Sequence, residues 1–237
     1  MAILKKNNLA MNETRKEFSK YLKEVDKYFE IISILDEGSC KLVIINILGQ
    51  EKIKIIDDSL IKILKANCFL LLYNLIEATI RNSIQAIIRS IHTEKMTFKN
   101  ISENLRSIWI NQELKNLNEN SVRKNITDIA KKILNDELLN FEDTCIKISG
   151  NLDAQKIREI AKSFGYKESK NGSGLLTIKK KRNDLAHGAV TFSDIGKEYS
   201  SKDLIKYKEE TTKYLDDVLC KIDEYINKKL FYLPSIR

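Results

Sequence analysis

The sequence predicts an all-α protein built as one helical domain. Only one proline, Pro234, and eight glycines occur in 237 residues, so few residues break helices. Apolar residues recur at helical spacing over several long segments, and 43% of the residues are hydrophobic, enough for a buried core. No proline-rich or glycine-rich linker divides the chain, so we expect a single domain over residues 1–237.

The N-terminal part combines a helix with a short segment of different character. Residues 11–35 show helical apolar spacing, and Gly38 is expected to end that helix. Residues 41–56 are rich in β-branched side chains. They fit a small β-hairpin that turns at Gly49 and Gln50, or a helical segment that Gly49 interrupts. We prefer the hairpin, as a small insertion near residues 41–56.

The longest helical pattern covers residues 57–92, which contain neither glycine nor proline. Because a helix of about 36 residues is unusually long, the alternative is a break near Ala66. The helical core is expected to span about residues 60–233, preceded by the N-terminal helix and hairpin segment of residues 1–59. Further helical patterns lie at residues 98–117, 149–166, 175–188 and 201–233, and residues 189–200 are expected to form a loop.

The composition indicates the kind of binding partner and the cellular compartment. The formal net charge of +8 favours a polyanionic partner such as nucleic acid, although a coding sequence rich in lysine explains the charge equally well. The cysteines and histidines form no metal-binding pattern, so we expect neither a metal nor a cofactor. Dispersed cysteines and an N-terminus without a secretion signal indicate the cytoplasm. Asn74 interrupts the longest apolar stretch, so we expect no membrane span.

A polar stripe interrupts the apolar surface of the longest predicted helix. Each helical residue turns by about 100°, so the stripe falls within one narrow band. It is either a partly buried Glu–Arg pair, which requires hydrogen bonds, or a solvated pair worth about 0.2–0.5 kcal/mol. His92, near the end of the same pattern, is expected to be structural, because a histidine favours a helix C-terminus. The stripe consists of Asn74, Glu77, Arg81 and Gln85.

The segment KKKRNDLAHG, residues 179–188, is a candidate site. Arg182 and His187 are separated by about 140° on a regular helix, so they do not share a face while the helix stays regular. Gly188 predicts that the helix ends just after the histidine, which would let the last turn bend. The alternative is that His187 only stabilises the helix C-terminus. The candidate phosphate-binding residues are Lys179, Lys180 and Lys181, which cannot all face the core.

Four segments, taken together, carry a family resemblance. They are LLYNLIEATIR (71–81), SGNLD (149–153), IAKSFGY (160–166) and RNDLAHGAVTFSDIGKEYS (182–200), in that order. The last segment contains an Arg-x4-His pattern, which is unspecific by itself. Over roughly residues 60–233, the four segments together resemble a prokaryotic branch of the HEPN superfamily, whose signature is Arg-x(4–6)-His.

The resemblance implies an all-α helical bundle of HEPN type that dimerises, with the Arg/His segments of two subunits in a shared cleft. It also implies a metal-independent endoribonuclease, often deployed as a toxin in toxin–antitoxin or anti-phage systems. The implied partners are therefore RNA, a second HEPN chain in a homodimer or heterodimer, and an antitoxin. By the family motif, Arg182 and His187 carry over as catalytic residues and Asn183 as a supporting residue. Glu77 and Asn74 match the acidic and polar positions of the earlier helix.

These residue types suit RNA cleavage without a metal. Histidine transfers protons near neutral pH, and arginine offers a charged fork for two phosphate oxygens. The hypothesis is that His187 is the acid/base, that Arg182 clamps the phosphate, and that Glu77 or Asn183 orients one of them. A related HEPN group carries a modified tyrosine where this chain has Ala189, so control by that modification is not expected. The rival is a non-catalytic RNA-binding or heterodimerising regulatory HEPN partner.

Overall fold

The computed structural model describes residues 9–38, 40–115, 122–142, 145, 148 and 150–235. Within them the chain forms eight α-helices and one two-stranded antiparallel sheet, which confirms the predicted all-α fold with a small hairpin. The elements are α1 (Leu9–Asp36), β1 (Lys41–Ile45), β2 (Glu51–Ile55), α2 (Asp58–Thr93), α3 (Glu103–Leu114), α4 (Val122–Leu134), α5 (Ala154–Phe164), α6 (Gly174–Ala186), α7 (Phe192–Gly196) and α8 (Ser201–Asn227).

The predicted long helix is confirmed, and two other helices differ from the sequence-based expectation. Helix α2 runs unbroken past Ala66, so the alternative of a break there is wrong. Helix α7 forms inside residues 189–200, which were expected to be a loop, because the Thr191 hydroxyl caps it by accepting the Asp194 N–H at 3.1 Å. Helix α8 ends at Asn227 rather than near residue 233, because the chain then turns.

The hairpin confirms one prediction and corrects another. Strands β1 and β2 pair antiparallel, but the connection is not a two-residue turn at Gly49 and Gln50. The Asn46 N–H donates to Gln50 O at 3.0 Å and the Gly49 N–H donates to Asn46 O at 2.9 Å, so residues 47–49 form a three-residue loop. Gly49 has a φ of +75°, the left-handed conformation that this loop type requires at its last position.

The chain divides into two compact units. The α6 unit consists of Phe18–Ile76 and Gly172–Lys213, and the α5 unit consists of Met1–Glu17, Glu77–Asn171 and Tyr214–Arg237. Each of the long helices α1, α2 and α8 contributes residues to both units.

In the α6 unit, polar contacts join α1, α2 and the start of α8. The Tyr28 hydroxyl donates to Leu64 O at 2.9 Å. The Asp36 carboxylate accepts from the Lys65 ammonium and from the Ser201 N–H. These bonds lower the pKa of Asp36 to about 2, with Lys65 the largest cause. The core of this unit includes the buried side chains of Phe29, Ile32, Phe69, Leu72, Tyr73, Leu175, Ile178 and Leu204.

In the α5 unit, side chains close the ends of α5 and α2. Asp153 caps α5 by accepting the Lys156 N–H at 2.8 Å, and Gly165 ends the helix with a φ of +84°. The His92 Nε2 atom, in the last turn of α2, accepts the Phe141 N–H at 3.1 Å, which is a structural role.

Helix α2 contributes many buried side chains. Among the described helices, α2 is the one that is long and apolar enough to cross a membrane by length and composition. A helix in the core of a folded protein passes the same test. The buried apolar side chains of α2 include Phe69, Leu72, Ile76, Ile80, Ile84 and Ile87.

Candidate active site

The C-terminus of α6 sets the position of the candidate histidine. Helix α6 ends at Ala186, and His187 follows with φ −94° and ψ 0°. Gly188 then adopts a left-handed φ of +66°, and the Ala189 N–H donates back to Asp184 O at 2.9 Å. This is a Schellman-type end, in which a glycine lets the chain reverse without strain. The helix therefore ends where Gly188 predicts.

The N-terminus of α6 is held by a carboxylate. Glu210 Oε1 accepts the Gly174 N–H at 2.9 Å and the Ser173 hydroxyl at 3.2 Å. A negative charge at a helix N-terminus satisfies N–H groups that have no partner inside the helix and complements the helix dipole. A Cβ at position 174 would lie 2.6 Å from Glu210 Oε2, so a side chain there would require the Glu210 carboxylate to move. Specific hydrogen bonds thus define both ends of α6.

Arg182 is half-buried and held over an aromatic ring. Its guanidinium carbon lies 4.6 Å from the ring centroid of Tyr73, whose exposed fraction is 0%. One guanidinium N–H also donates to Asn183 Oδ1 at 3.0 Å. A cation over a buried ring gains roughly 0.5–2 kcal/mol. These contacts hold the guanidinium in position, and Asn183, to which the family resemblance gives a supporting role, makes one of the two.

His187 has a different environment. Its side chain is exposed, and within the described residues no hydrogen bond or ion pair holds it. The backbone N–H of His187 still donates to Asn183 O at 3.0 Å, so the backbone is helical up to His187 and turns only after it. The bend therefore does not carry His187 to the side of α6 that presents Arg182. Among the described residues no hydrogen bond joins the two side chains.

The three lysines before Arg182 occupy unlike places. Lys180 is exposed, and Lys179 is half-buried. Lys181 is 17% exposed, donates to the Glu198 carboxylate, and lies 5.6 Å from the ring centroid of Tyr199. Burial lowers the pKa of Lys181, but the hydrogen bond to Glu198 and the charges nearby outweigh it, so the pKa is raised above its ordinary value. Lys181 thus remains charged.

The segment that supplies Glu198 is packed closely on α2 in the same unit. Gly196 allows this approach, because a Cβ at that position would lie 1.8 Å from Lys62 O. Tyr199 packs edge-on against Phe69, with ring centroids 4.9 Å apart. The chain that follows His187 is therefore anchored a few residues beyond the site.

The stripe on α2 does not act as one group. Asn74 belongs to the α6 unit and its side chain is exposed. Glu77 belongs to the α5 unit, where its carboxylate accepts from the Arg81 guanidinium at 2.6 Å. The Glu77 side chain is 20% exposed and that of Arg81 is 52% exposed, so the pair matches the solvated i,i+4 alternative more closely than the buried one. The residue that contacts Arg182 from this helix is Tyr73.

Tyr73, Glu198 and Glu210 are site residues that reasoning from the sequence missed. Tyr73 precedes Asn74 in the segment LLYNLIE, and a lone tyrosine in an aliphatic run is the signal that could have marked it. The two glutamates carry no such signal, because they lie among many other charged residues. Among the described residues, no group of three or more His, Cys, Asp or Glu side chains is placed to hold a metal ion.

Comparisons with known proteins agree with this architecture. A family model described as HEPN_MAE_28990-like HEPN matches residues 11–231, which include α1 and the hairpin as well as the Arg/His segment. No curated protein and no solved structure matches the chain significantly. Because the family model covers far more than half of the sequence, the chain belongs to the HEPN_MAE_28990-like family of HEPN proteins.

Proposed function

We propose that this chain is a metal-independent endoribonuclease of HEPN type that acts in the cytoplasm as a toxin or an anti-phage defence component. Membership in a HEPN family agrees with a function of ribonuclease or toxin type. The observation that carries the proposal is the placement of Arg182 over the buried Tyr73 ring, on a helix whose C-terminus carries an exposed histidine.

Arg182 is proposed to bind the scissile phosphate. Its hydrogen bond to Asn183 uses one of the five N–H donors of the guanidinium, so further donors remain for phosphate oxygens. A guanidinium that is already held in place needs little reorganisation when negative charge develops on the oxygens bound to the phosphorus. Lys180, which is exposed on the same helix, is proposed to add a sequence-independent contact to the RNA backbone.

His187 is proposed to move the protons. A general base takes the proton of the ribose 2′-hydroxyl, the 2′-oxygen attacks the phosphorus, and the bond from phosphorus to the 5′-oxygen breaks. A general acid gives a proton to the departing 5′-oxygen, so the products are a 2′,3′-cyclic phosphate and a 5′-hydroxyl. Neutral imidazole suits the first role and imidazolium the second.

The geometry of α6 favours a site shared by two chains. Arg182 and His187 differ by about 140° around the helix axis, and the helical backbone persists up to His187. A dimer with a two-fold axis beside α6 would present Arg182 of one copy to His187 of the other, at two symmetry-related sites. A homodimer or a heterodimer with another HEPN chain satisfies this requirement, and an antitoxin would act by covering the cleft.

Asn183 is the better candidate for the orienting role. It contacts Arg182 directly, whereas the partner of Glu77 in the structure is Arg81. We therefore assign the orienting role to Asn183 rather than Glu77, and Asn74 to the edge of the site, as the residue of α2 that follows Tyr73.

The test is cleavage of RNA by purified protein in the presence of EDTA. We expect His187→Ala and Arg182→Ala each to lower the rate by about 10²–10⁴-fold. His92→Ala and Arg81→Ala are matched controls, because they remove the other histidine and an exposed arginine of α2, and we expect them to cleave as the wild type does.

The products separate the proposal from its rivals. We expect 2′,3′-cyclic phosphate ends, and no cleavage where the 2′-hydroxyl is replaced by hydrogen. Equal cleavage by wild type and His187→Ala would overturn the catalytic assignment. Binding of RNA without cleavage by the wild type would instead favour the non-catalytic HEPN partner. In cells, growth arrest that the Arg182→Ala, His187→Ala double variant no longer causes would support the toxin role.

A further inference from the structure

The hairpin of β1 and β2 exposes apolar side chains on both faces. Every residue of the two strands is exposed. One face carries Val43, Ile45, Ile53 and Ile55, with exposed fractions of 49%, 65%, 57% and 66%. A two-stranded hairpin that packs on nothing is marginally stable in water, and exposed apolar surface of this kind marks interaction sites. The hairpin therefore needs a covering surface.

The outer edge of β1 offers a row of free backbone groups. The Ile56 N–H donates to Cys40 O at 3.1 Å, and the strand register places Leu42 opposite Lys54. Because bonded and non-bonded pairs alternate along an antiparallel ladder, the even-numbered residues of β1 bond to β2. The N–H and C=O groups of the odd-numbered residues point away from β2. In the described part of the chain those groups have no partner; they belong to Lys41, Val43 and Ile45.

The two edges of the hairpin differ in charge. Strand β1 reads KLVII and has no charge after Lys41, whereas β2 reads EKIKI. If two copies of β2 paired antiparallel in the register that bonds all of their outward groups, Lys52 of each copy would face Lys54 of the other. Like charges directly opposite each other are destabilising, and lysines are a common way to block an edge strand. Strand β1 has no such block.

We propose that β1 pairs antiparallel with β1 of a second copy of this chain, with Val43 opposite Val43 on the two-fold axis. In this register Lys41 faces Ile45 of the second copy, so all outward backbone groups of both strands meet, giving about six new hydrogen bonds. Leu42 then lies opposite Ile44 of the second copy, which is an apolar pair. No like charges are opposed.

The pairing also suits the charges at the strand ends. Within one hairpin, Lys41 and Glu51 lie at opposite ends of the sheet. In the antiparallel dimer, the end that holds Lys41 also holds Glu51 of the second copy, two strands away and of opposite sign. The result is a four-stranded sheet, which exceeds the size at which a sheet with an apolar face becomes independently stable. This interface involves neither Arg182 nor His187, so the proposal does not rest on the proposed function.

Proline substitutions distinguish the two edges. Val43 and Ile53 lie opposite each other in a non-bonded pair, so proline at either position leaves the β1–β2 hydrogen bonds intact and removes an outward N–H. We expect Val43→Pro to halve the molar mass measured by light scattering, and the matched control Ile53→Pro to keep the wild-type mass. If α6 also mediates dimerisation, the wild type is a tetramer and Val43→Pro a dimer. Circular dichroism verifies that each variant is folded.

A cross-linking experiment tests the register. Val43→Cys in a Cys40→Ser, Cys220→Ser background should form a disulfide-linked dimer on mild oxidation, because bonded antiparallel pairs have Cα atoms about 5.5 Å apart. Ile53→Cys in the same background should stay unlinked. The proposal is overturned by an unchanged mass of Val43→Pro, by equal cross-linking of both cysteine variants, or by a monomeric wild type whose hairpin is covered by a different protein or by a membrane.

Discussion

Mixing two inactive variants tests whether the arginine and histidine act across two chains. The variants are Arg182→Ala and His187→Ala, each of which lacks one member of the pair. Along α6 the five-residue step places the two side chains about 140° apart, and the N–H of His187 remains bonded to Asn183 O. One chain therefore presents them on different sides. A mixed dimer contains one intact pair, in which Arg182 comes from one copy and His187 from the other.

The size of the effect follows from dimer statistics. If the two variants are co-expressed and associate at random, about half of the dimers are mixed and each has one intact site of two, so about a quarter of the wild-type activity should return. The assay is the initial rate of RNA cleavage by the mixture and by each variant alone, at equal total protein. Two affinity tags allow the mixed dimer to be purified, and its rate should be about half that of the wild type.

A mixture that stays as inactive as its components would rule out a site shared by two chains. If both residues act within a single chain, no chain of the mixture has an intact pair, and the rate stays at the level of the single variants. Native mass spectrometry must show that mixed dimers have formed, so that failure of assembly is not mistaken for failure of complementation.

Further predictions concern the surroundings of the site and the fold. Tyr73→Leu should slow cleavage by about 2–30-fold through loss of the ring under Arg182, while Tyr73→Phe keeps most of the activity. Gly196→Ala should lower the free energy of unfolding by about 1–3 kcal/mol in a denaturant titration, because its Cβ would overlap a backbone oxygen of α2. The folded-state pKa of Asp36, about 2, lies below its ordinary value of 3.8, so its pairing with Lys65 stabilises the fold above pH 4 and is lost as the pH falls toward 2. Asp36→Asn should flatten that part of the stability profile.

Each of these predictions has an outcome that contradicts it. Equal cleavage by Tyr73→Leu and Tyr73→Phe would show that the ring does not hold the arginine. An unchanged unfolding midpoint for Gly196→Ala would mean that α7 can move away from α2 at little cost. Identical acid-unfolding curves for wild type and Asp36→Asn would show that the Asp36 contacts do not contribute in solution.

Local features were predictable because their causes lie close together in the chain. The end of α6 follows from Gly188, since the left-handed conformation after a helix favours glycine wherever the rest of the protein lies. The hairpin follows from β-branched residues on either side of Gly49, although the expected two-residue turn at Gly49 and Gln50 is wrong and the loop has three residues. The order of the longer helices and the family resemblance were also predictable, because apolar periodicity and short motifs are patterns along the chain.

The linear order of residues indicates which of them are able to form a site: an arginine, a histidine five positions later, and a run of lysines. What each of them contacts depends on how the chain folds. Tyr73 lies under Arg182, and Glu198 neutralises Lys181, because α2 and the α7 segment bring residues distant in sequence against α6. The apolar side chains of the hairpin are exposed in the folded chain, and the abundance of β-branched residues does not reveal this. Burial and charge pairing depend on which surfaces meet in the folded chain, and a linear pattern of residues does not specify those contacts.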